Sequence, residues 1–304
     1  MFPSPVVSVL CTVYNAERFL ALTIESVLSQ TLQQWEMIIV DDGSTDQSKR
    51  IAQSYDDPRI QLIELPFNVG RTKALNHGLK QCNGKYVAIL DADDLARPER
   101  LLRQVEFLEQ NLDYGAAASW CTVISETSQE VSRYRPVLSS SEIYQYLSWC
   151  DPLVHSSIMW RHQLLDHLGG YIAPSGLEDH YLLLQVAQIS QIGIIGEDLT
   201  AYRHVDSSLS HSKGGLIRRL TDQLVVLRTA SEMPELQKSS KRRNRRAISL
   251  TLLRLGGAQM RSGAITKGFL RLMRGFLLDP TISFYPFRTK RWESRWHPQR
   301  RFSV

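Results

Sequence analysis

The sequence lacks the features that commonly identify membrane-spanning, secreted and zinc-binding proteins. No uninterrupted apolar run approaches the roughly 18 residues that a membrane-spanning helix needs. The four cysteines are scattered, without a CxxC pair or a Cys/His ligand spacing, which argues against a disulfide framework or a zinc site. Because the first residues contain neither a basic leader nor a small-residue cleavage site, we expect no signal peptide and a reducing, cytoplasmic compartment.

The common nucleotide-binding motifs are also absent. No GxGxxG follows the first predicted strand and no GxxxxGK[ST] occurs, which excludes the usual nicotinamide oxidoreductases and kinases. There are no internal repeats and no low-complexity segments. A chain of 304 residues, 43% of them hydrophobic, is long enough for one large domain or for a domain with an appendage.

Charge is distributed unevenly along the chain. Residues 213–304 hold 21 Lys+Arg and 5 Asp+Glu, a net charge of +16. Of the totals of 36 and 31, this leaves 15 and 26 for residues 1–212, a net charge of −11. Such asymmetry indicates different partners for the two segments. We therefore predict an acidic domain over 1–212 and a basic, mainly helical segment over 213–304, with the boundary near 211–215.

Residues 1–212 alternate predicted strands with predicted helices. Short, apolar, β-branched stretches predict four strands, at 6–13, 35–40, 59–65 and 85–90. In the predicted helix before the fourth strand, Ala74 and Gly78 would permit close packing on a sheet. The alternation indicates an α/β domain with a parallel sheet covered on both faces. In such sheets ligands bind beyond the carboxyl ends of the strands.

Carboxylates follow the second and the fourth predicted strands. Asp91 and Asp93 are two positions apart, so in an extended chain they point to the same side. Two converging carboxylates are costly unless a cation shares them, and oxygen ligands favour Mg²⁺ or Mn²⁺ beside a substrate phosphate. The alternative is a solvated acidic turn in which Asp94 caps the next helix.

Six motifs occur in order between Val7 and Ser210: VSVLCTVYNAERFLALTIESVLSQT, WEMIIVDDGSTD, NVGRTKALNHGL, YVAILDADD, HLGGY with GLEDHYLLLQ, and YRHVDSSLS. In order and spacing they resemble the family 2 inverting glycosyltransferases. The resemblance implies the GT-A fold, a Rossmann-like, mostly parallel sheet flanked by helices. It also implies a Mg²⁺- or Mn²⁺-dependent transfer of a sugar from a nucleoside-diphosphate sugar, of UDP or dTDP type, to a glycan or lipid-linked acceptor.

The resemblance implies a donor site formed by the first three motifs. It assigns Thr12 and Tyr14 to the nucleotide base, and Asp42 to a hydrogen bond from a uracil-type N–H. A carboxylate can only accept, so it selects a base edge that presents a donor. Helix capping is the alternative for Asp41 and Asp42. Arg71 would approach the diphosphate or the ribose; the alternative is a surface arginine at a helix start, where a cation is not favoured.

The remaining motifs imply the metal ligands and the base. Asp93 is the better metal ligand, and Asp91 the better ribose or sugar contact and a second ligand. His204 would complete the metal shell or touch the diphosphate, with His211 as the fallback and structural hydrogen bonding as the alternative. Asp179 resembles the family's general base at the start of a helix, whose dipole favours the ionised form. The alternative is that Asp179 and its neighbour only complement that dipole.

The C-terminal segment combines basic residues with apolar residues at helical spacing, and it ends with Trp292, Trp296 and Phe302 among arginines. Such helices suit the interface of an anionic membrane, and we expect a peripheral location at the inner face of the cytoplasmic membrane. Packing on the catalytic domain and nucleic-acid binding are the alternatives.

Two classes of function remain open from the sequence. The first is the transferase, and the second is a non-catalytic binding protein with a retired transferase domain and a basic tail that docks nucleic acid or membrane. The complete set of four motif aspartates favours the enzyme, and we do not expect a nucleic-acid partner.

Overall fold

The computed structural model of the protein describes residues 4–172, 177–205 and 216–280. These residues divide into two compact units, and residues 141–152 belong to the second unit with the C-terminal helices. From the sequence we assigned that short segment to the catalytic domain. The predicted boundary near 211–215 and the aromatic residues of the tail lie outside the described residues.

The first unit is built on one sheet, which has nine strands within the described ranges. The strands are β1 (Val7–Val13), β2 (Trp35–Asp41), β3 (Ile60–Glu64), β4 (Tyr86–Ile89), β5 (Leu95–Ala96), β6 (Tyr114–Ile124), β7 (Glu130–Tyr134), β8 (Met159–Arg161) and β9 (Gln191–Arg203). Their order is β3-β2-β1-β4-β8-β6-β9-β5, and β7 pairs with β6. The four predicted strands are confirmed as β1 to β4, which run parallel.

The sheet changes character beyond β4. Strand β8 is antiparallel to both β4 and β6, whereas β6 and β9 pair in parallel. The α/β class predicted from the sequence is confirmed. The central strands β1, β2 and β4 are buried along nearly their whole length, which is why their sequences are continuously apolar rather than alternating.

Helices flank the sheet and form the second unit. The first unit contains α1 (Leu20–Leu28), α2 (Ser48–Gln53), α3 (Arg71–Leu79), α4 (Arg100–Gln110), α6 (His162–Leu168) and α7 (Glu178–Ile189). The second contains nearly all of α5 (Ser140–Leu147), with α8 (Leu216–Ser231), α9 (Lys238–Arg261) and α10 (Ile265–Leu278). No helix in the described ranges is long and apolar enough to cross a membrane.

Parallel pairing brings the polar strand ends together. Val13 at the end of β1 is the register partner of Asp41 at the end of β2. Strand β4 pairs with β1 on its other side and ends just before the Asp91–Asp94 turn. The carboxyl ends of the three central strands therefore lie at one edge of the sheet, where α/β proteins bind ligands.

The packing of α3 on the sheet requires a glycine. A Cβ atom at Gly78 would lie 2.3 Å from Leu10 Cδ1 and 2.7 Å from Val40 Cγ2. Both contacts are closer than carbon atoms tolerate, and both partners are fully buried. The close packing predicted for Gly78 from the sequence is confirmed.

We predict that Gly78→Ala lowers the free energy of unfolding by about 1–2 kcal/mol, because overpacking of the core outweighs the helix propensity gained. His77→Ala, on the exposed side of the same helix, is the matched control and should leave stability unchanged or slightly raised. Urea titrations followed by circular dichroism measure both. A Gly78→Ala protein at least as stable as wild type would contradict the packing argument.

Candidate active site

The acidic turn after β4 is held on both sides by backbone hydrogen bonds. The Asp94 N–H donates to the Asp91 carbonyl oxygen at 3.1 Å and closes the turn. Asp94 is fully buried, and its Oδ1 accepts from the Arg203 backbone N–H at 2.7 Å. Helix α4 begins only at Arg100. The alternative interpretation, a solvated turn in which Asp94 caps the next helix, is therefore wrong.

The three carboxylates of this turn have different surroundings. Burial, together with the charges of Asp93 and Asp91, raises the pKa of Asp94 well above its ordinary value. Burial and then the charge of Asp91 raise the pKa of Asp93 to about 6. Burial is the largest influence and would raise the pKa of Asp91, but the charge and hydrogen bond of Arg71, the neighbouring His155 and the hydrogen bond from Ser156 together lower it. Asp91 is thus the better compensated member of the predicted DxD pair.

Arg71, the first residue of α3, bridges the acidic turn and the start of α7. Its Nη2 donates to Asp91 Oδ1 at 2.6 Å. Its Nε lies 2.8 Å from Glu178 Oε1, in an ion pair without hydrogen-bond alignment. The Glu178 side chain is 3% exposed and that of Arg71 27% exposed. One guanidinium therefore compensates the negative charges of two carboxylates that are largely removed from water. These two ion pairs explain why a positively charged residue occupies the N-terminus of α3, where a cation is otherwise unfavourable.

His155 continues this network away from the turn. Its Nδ1 lies 2.9 Å from Arg71 Nη2, and its Nε2 lies 3.0 Å from the Tyr171 hydroxyl. Because arginine can only donate, Nδ1 accepts and the proton of the neutral ring is on Nε2. Burial and then the positive charge of Arg71 lower the pKa of His155 to about 4, which keeps the ring neutral. From the sequence we assigned His155 no role.

Tyr171 is anchored by the asparagine of the third motif. The Asn76 side chain donates to the Tyr171 carbonyl oxygen at 2.7 Å and accepts from its N–H at 2.9 Å. Gly170 has a φ of 75°, and a Cβ there would lie 2.5 Å from Asn76 Oδ1. The HLGGY and NVGRTKALNHGL motifs are thus parts of one contact. The sequence interpretation missed this, although both motifs were recognised.

The Asp42 carboxylate fixes the loop before α3. Its oxygens accept from the backbone N–H groups of Val69 at 2.7 Å and Gly70 at 3.0 Å. Gly70 has a φ of 91°, a conformation that favours glycine, and Arg71 follows directly. Asp41 accepts from a backbone N–H within its own turn. Both carboxylate oxygens of Asp42 thus already bind the loop before α3. The predicted contact of Asp42 with a nucleotide base stays a prediction.

Arg203, at the end of β9, holds the other side of the acidic turn. Its Nε donates to the Asp93 carbonyl oxygen at 2.8 Å, and its Nη1 donates to the Ser125 carbonyl oxygen at 2.9 Å. The guanidinium lies over the Phe19 ring, 4.6 Å from its centre, and the residue is 2% exposed. We gave Arg203 no role from the sequence. The available signal was its place in the YRHVDSSLS motif.

The other predicted donor-site residues lie near this edge of the sheet. Thr12 is half-buried in β1 and Tyr14, directly after β1, is 46% exposed. His204 follows Arg203, with an exposed side chain, and its backbone N–H donates to the Ile124 carbonyl oxygen at 2.8 Å. The fallback His211 lies outside the described residues.

Asp179 lies in the first turn of α7, beside the buried Glu178. It is half-buried, and its Oδ1 accepts from the His180 backbone N–H at 2.7 Å. A negative charge is favoured near a helix N-terminus, and the second carboxylate oxygen of Asp179 is the atom that could accept a proton. The Glu178–Arg71 ion pair ties this turn to the acidic turn, so the structure brings Asp179 and the DxD pair into one network.

The fit of a divalent cation depends mainly on Asp93. No group of three or more His, Cys, Asp or Glu side chains is arranged to hold a metal in the described part of the chain. Asp91 is already paired with Arg71, whereas the raised pKa of Asp93 shows a carboxylate short of positive charge. Such a carboxylate fits Mg²⁺ or Mn²⁺ bound by one or two protein oxygens and substrate phosphates.

Known proteins are similar to this chain over much of its length. The family model described as Glycosyl transferase family 2 matches residues 8–169. EpsE of Bacillus subtilis, a protein named as a glycosyltransferase, is 38% identical over 174 residues, 56% of this chain and 62% of EpsE. The chain thus spans less than two thirds of the length of that relative. WfgD of Escherichia coli, named UDP-Glc:alpha-D-GlcNAc-diphosphoundecaprenol beta-1,3-glucosyltransferase, is 28% identical over 226 residues, 72% of this chain and 85% of WfgD.

Solved structures share the fold at low sequence identity. TarS of Staphylococcus aureus, solved in complex with UDP-GlcNAc, has a TM-score of 0.63 and 19% identity, covering 82% of this chain and 72% of TarS. The mannosyltransferase PcManGT of Pyrobaculum calidifontis, in complex with GDP-Man and Mn²⁺, has a TM-score of 0.58 and 22% identity, covering 94% and 83%. These likenesses confirm the GT-A class of fold.

We predict that Arg71→Met lowers the free energy of unfolding by about 2–4 kcal/mol, because breaking a buried ion pair leaves carboxylates without compensation. Adding Glu178→Gln should restore part of that loss by removing one of the two charges. Urea titrations of the single and double variants measure both effects.

The matched control is Arg103→Met, since Arg103 pairs with Glu106 and Glu197 at the surface. Exposed pairs contribute about 1 kcal/mol or less. If Arg71→Met costs no more than this control, or if the double variant is less stable than the single one, the ion pairs do not hold the site together.

Proposed function

This chain belongs to glycosyl transferase family 2, and we propose that it transfers a sugar from a UDP- or dTDP-type donor to a hydroxyl group of a glycan or lipid-linked acceptor. The observation that carries the proposal is the acidic turn at the carboxyl end of β4, joined through Arg71 to the start of α7. It supports the proposal because it would hold the proposed donor-side acid Asp91 close to the helix start that carries the proposed base Asp179. The UDP sugars in the WfgD name and the TarS complex support the choice of donor.

The proposed donor side uses residues at the edge of the sheet. Thr12 and Tyr14 would contact the nucleotide base, together with Asp42 or the loop that it fixes. Asp93 would hold Mg²⁺ or Mn²⁺, with Asp91 and His204 as further ligands; the Mn²⁺ complex of PcManGT supports this choice. When bound, such a cation neutralises negative charge on the departing diphosphate. Arg71 positions Asp91 and Glu178, and would add positive charge on the diphosphate side.

The proposed acceptor side depends on Asp179. An inverting transfer requires the acceptor hydroxyl to attack the anomeric carbon from the face opposite the leaving diphosphate, and a base to take its proton. A carboxylate can take that proton, and Asp179 at the start of α7 is the candidate. Because Arg71 ties α7 to the acidic turn, it would set the distance between base and donor, which is the positioning that catalysis needs.

The acceptor class also suggests where the reaction takes place. The WfgD name contains a diphosphoundecaprenol acceptor, and a lipid-linked acceptor is confined to a membrane surface. We therefore propose that the chain acts in polysaccharide biosynthesis, peripherally at the inner face of the cytoplasmic membrane. The basic segment 213–304 supports this location, since cationic segments bind anionic lipid surfaces.

We predict that UDP binds in the presence of Mn²⁺ and that Asp93→Ala lowers this affinity about 10- to 100-fold, as expected for a lost charge-assisted interaction. Titration calorimetry with Mn²⁺ or with EDTA measures it. Asp113→Ala, on an exposed aspartate, is the control and should bind like wild type. Equal affinity for UDP with and without metal would overturn the metal role of Asp93.

We predict that Asp179→Asn keeps donor affinity but lowers turnover by roughly 10²- to 10⁴-fold, the usual loss for a missing general base. Nucleoside diphosphate release in the presence of acceptor measures turnover, and calorimetry measures affinity. The control Asp56→Asn changes an exposed carboxylate in the same way. Turnover near the wild-type rate in Asp179→Asn would remove this residue from the mechanism.

A further inference from the structure

Helix α10 is attached to the second unit by a seam of glycines. Gly268 and Gly275 are its buried residues. A Cβ at Gly268 would lie 2.6 Å from the Gly256 carbonyl oxygen of α9, and a Cβ at Gly275 would lie 3.0 Å from that of Ser249. The Ser249 hydroxyl also donates to the Gly275 carbonyl oxygen at 2.6 Å. Because these contacts use residues without side chains, α10 packs closely on α9 along this side, while five of its large side chains remain exposed.

Those large side chains form an exposed apolar face. Four of these residues recur at every fourth position of α10, and a fifth lies next to one of them, so all five lie on one side of the helix. All of them are more than 40% exposed, and Leu277 reaches 72%. The apolar face consists of Ile265, Phe269, Leu270, Met273 and Leu277. Soluble domains rarely leave a contiguous apolar surface of this kind uncovered, and such surfaces commonly mark an interaction site.

The charged residues of α10 are all basic. Lys267, Arg271 and Arg274 occupy the neighbouring arc of α10, as helical spacing of three and four positions requires. Residues 238–278, which cover α9 and α10, contain 11 Lys+Arg and no Asp or Glu. A partner surface must therefore accept apolar side chains and provide negative charge next to them.

An anionic bilayer satisfies both conditions. We propose that the apolar face of α10 inserts into the interface of an anionic membrane, with the exposed Lys267 and Arg274 on the lipid headgroups. A helix of 14 residues is too short to span a bilayer, but amphipathic helices of this kind lie in the interface plane. The inference rests on the membrane location in the proposed function and names the surface that provides it.

Two other occupants fit the observations less well. In a symmetric dimer the same surface meets itself, so the basic arcs of two copies would oppose each other without compensating acids. Nucleic acid would pair with the arginines but would leave five exposed apolar side chains in water. Insertion into lipid accounts for both parts of the surface.

The test is co-sedimentation of the full chain with vesicles of phosphatidylcholine alone or with phosphatidylglycerol. We expect binding to the anionic vesicles only. Phe269→Ser with Leu277→Ser should raise the lipid concentration for half-binding at least about tenfold, since apolar side chains that insert into the bilayer contribute to binding through their removal from water. Lys267→Glu with Arg274→Glu should reduce binding most at low salt. Leu112→Ser and Lys80→Glu, on exposed residues of the first unit, are the matched controls and should bind like wild type.

Wild-type binding by the apolar variant would overturn the proposal. So would a lipid-free dimer, in analytical ultracentrifugation, that dissociates when Phe269 and Leu277 are replaced, because the face would then belong to a second copy. UDP calorimetry in vesicle-free buffer keeps the two questions apart. A chain that binds vesicles through α10 but binds no nucleoside diphosphate would refute the proposed function and leave this surface intact.

Discussion

The ion pairs of Arg71 with Asp91 and Glu178 join three segments that are far apart in the sequence: the start of α3, the turn after β4 and the start of α7. A charge that is partly or fully buried needs a partner at short distance, because the surrounding protein screens it poorly. Each of these three side chains therefore fixes the others. The neutral ring of His155 extends the network to Tyr171, and through it to Asn76 in the middle of α3.

A second arginine holds the acidic turn from the opposite side. Arg203 bonds the Asp93 carbonyl oxygen through its side chain and the Asp94 carboxylate through its backbone N–H. The charges of both arginines lower the pKa of Asp93, yet burial and the charge of Asp91 still raise it to about 6. The turn is thus rigidly held while one carboxylate lacks full compensation. That combination suits a site that gains a cation together with a phosphate-bearing ligand.

Local patterns and long-range contacts differ in how well the sequence predicts them. The strands β1 to β4 were predicted because each is a short, largely apolar stretch between turn residues. Strand β8 has only three residues, and in β6 Tyr114 is followed by Gly115 and four small residues, so neither has a recognisable period. The ion pair of Arg71 with Glu178 and the hydrogen bonds of Arg203 to the acidic turn join residues that are far apart in the sequence. No local sequence pattern predicts such contacts. For the same reason the association of residues 141–152 with the C-terminal helices could not be predicted.

The central claim is that this arrangement binds and uses a nucleotide sugar. A screen of common nucleotide sugars tests it most directly, with nucleoside diphosphate release by the full chain measured in Mg²⁺, in Mn²⁺ and in EDTA. The account predicts release from a UDP or dTDP sugar in the presence of metal, and its loss in EDTA. A protein that is folded by circular dichroism, yet binds no nucleoside diphosphate and releases none from any donor, would contradict it.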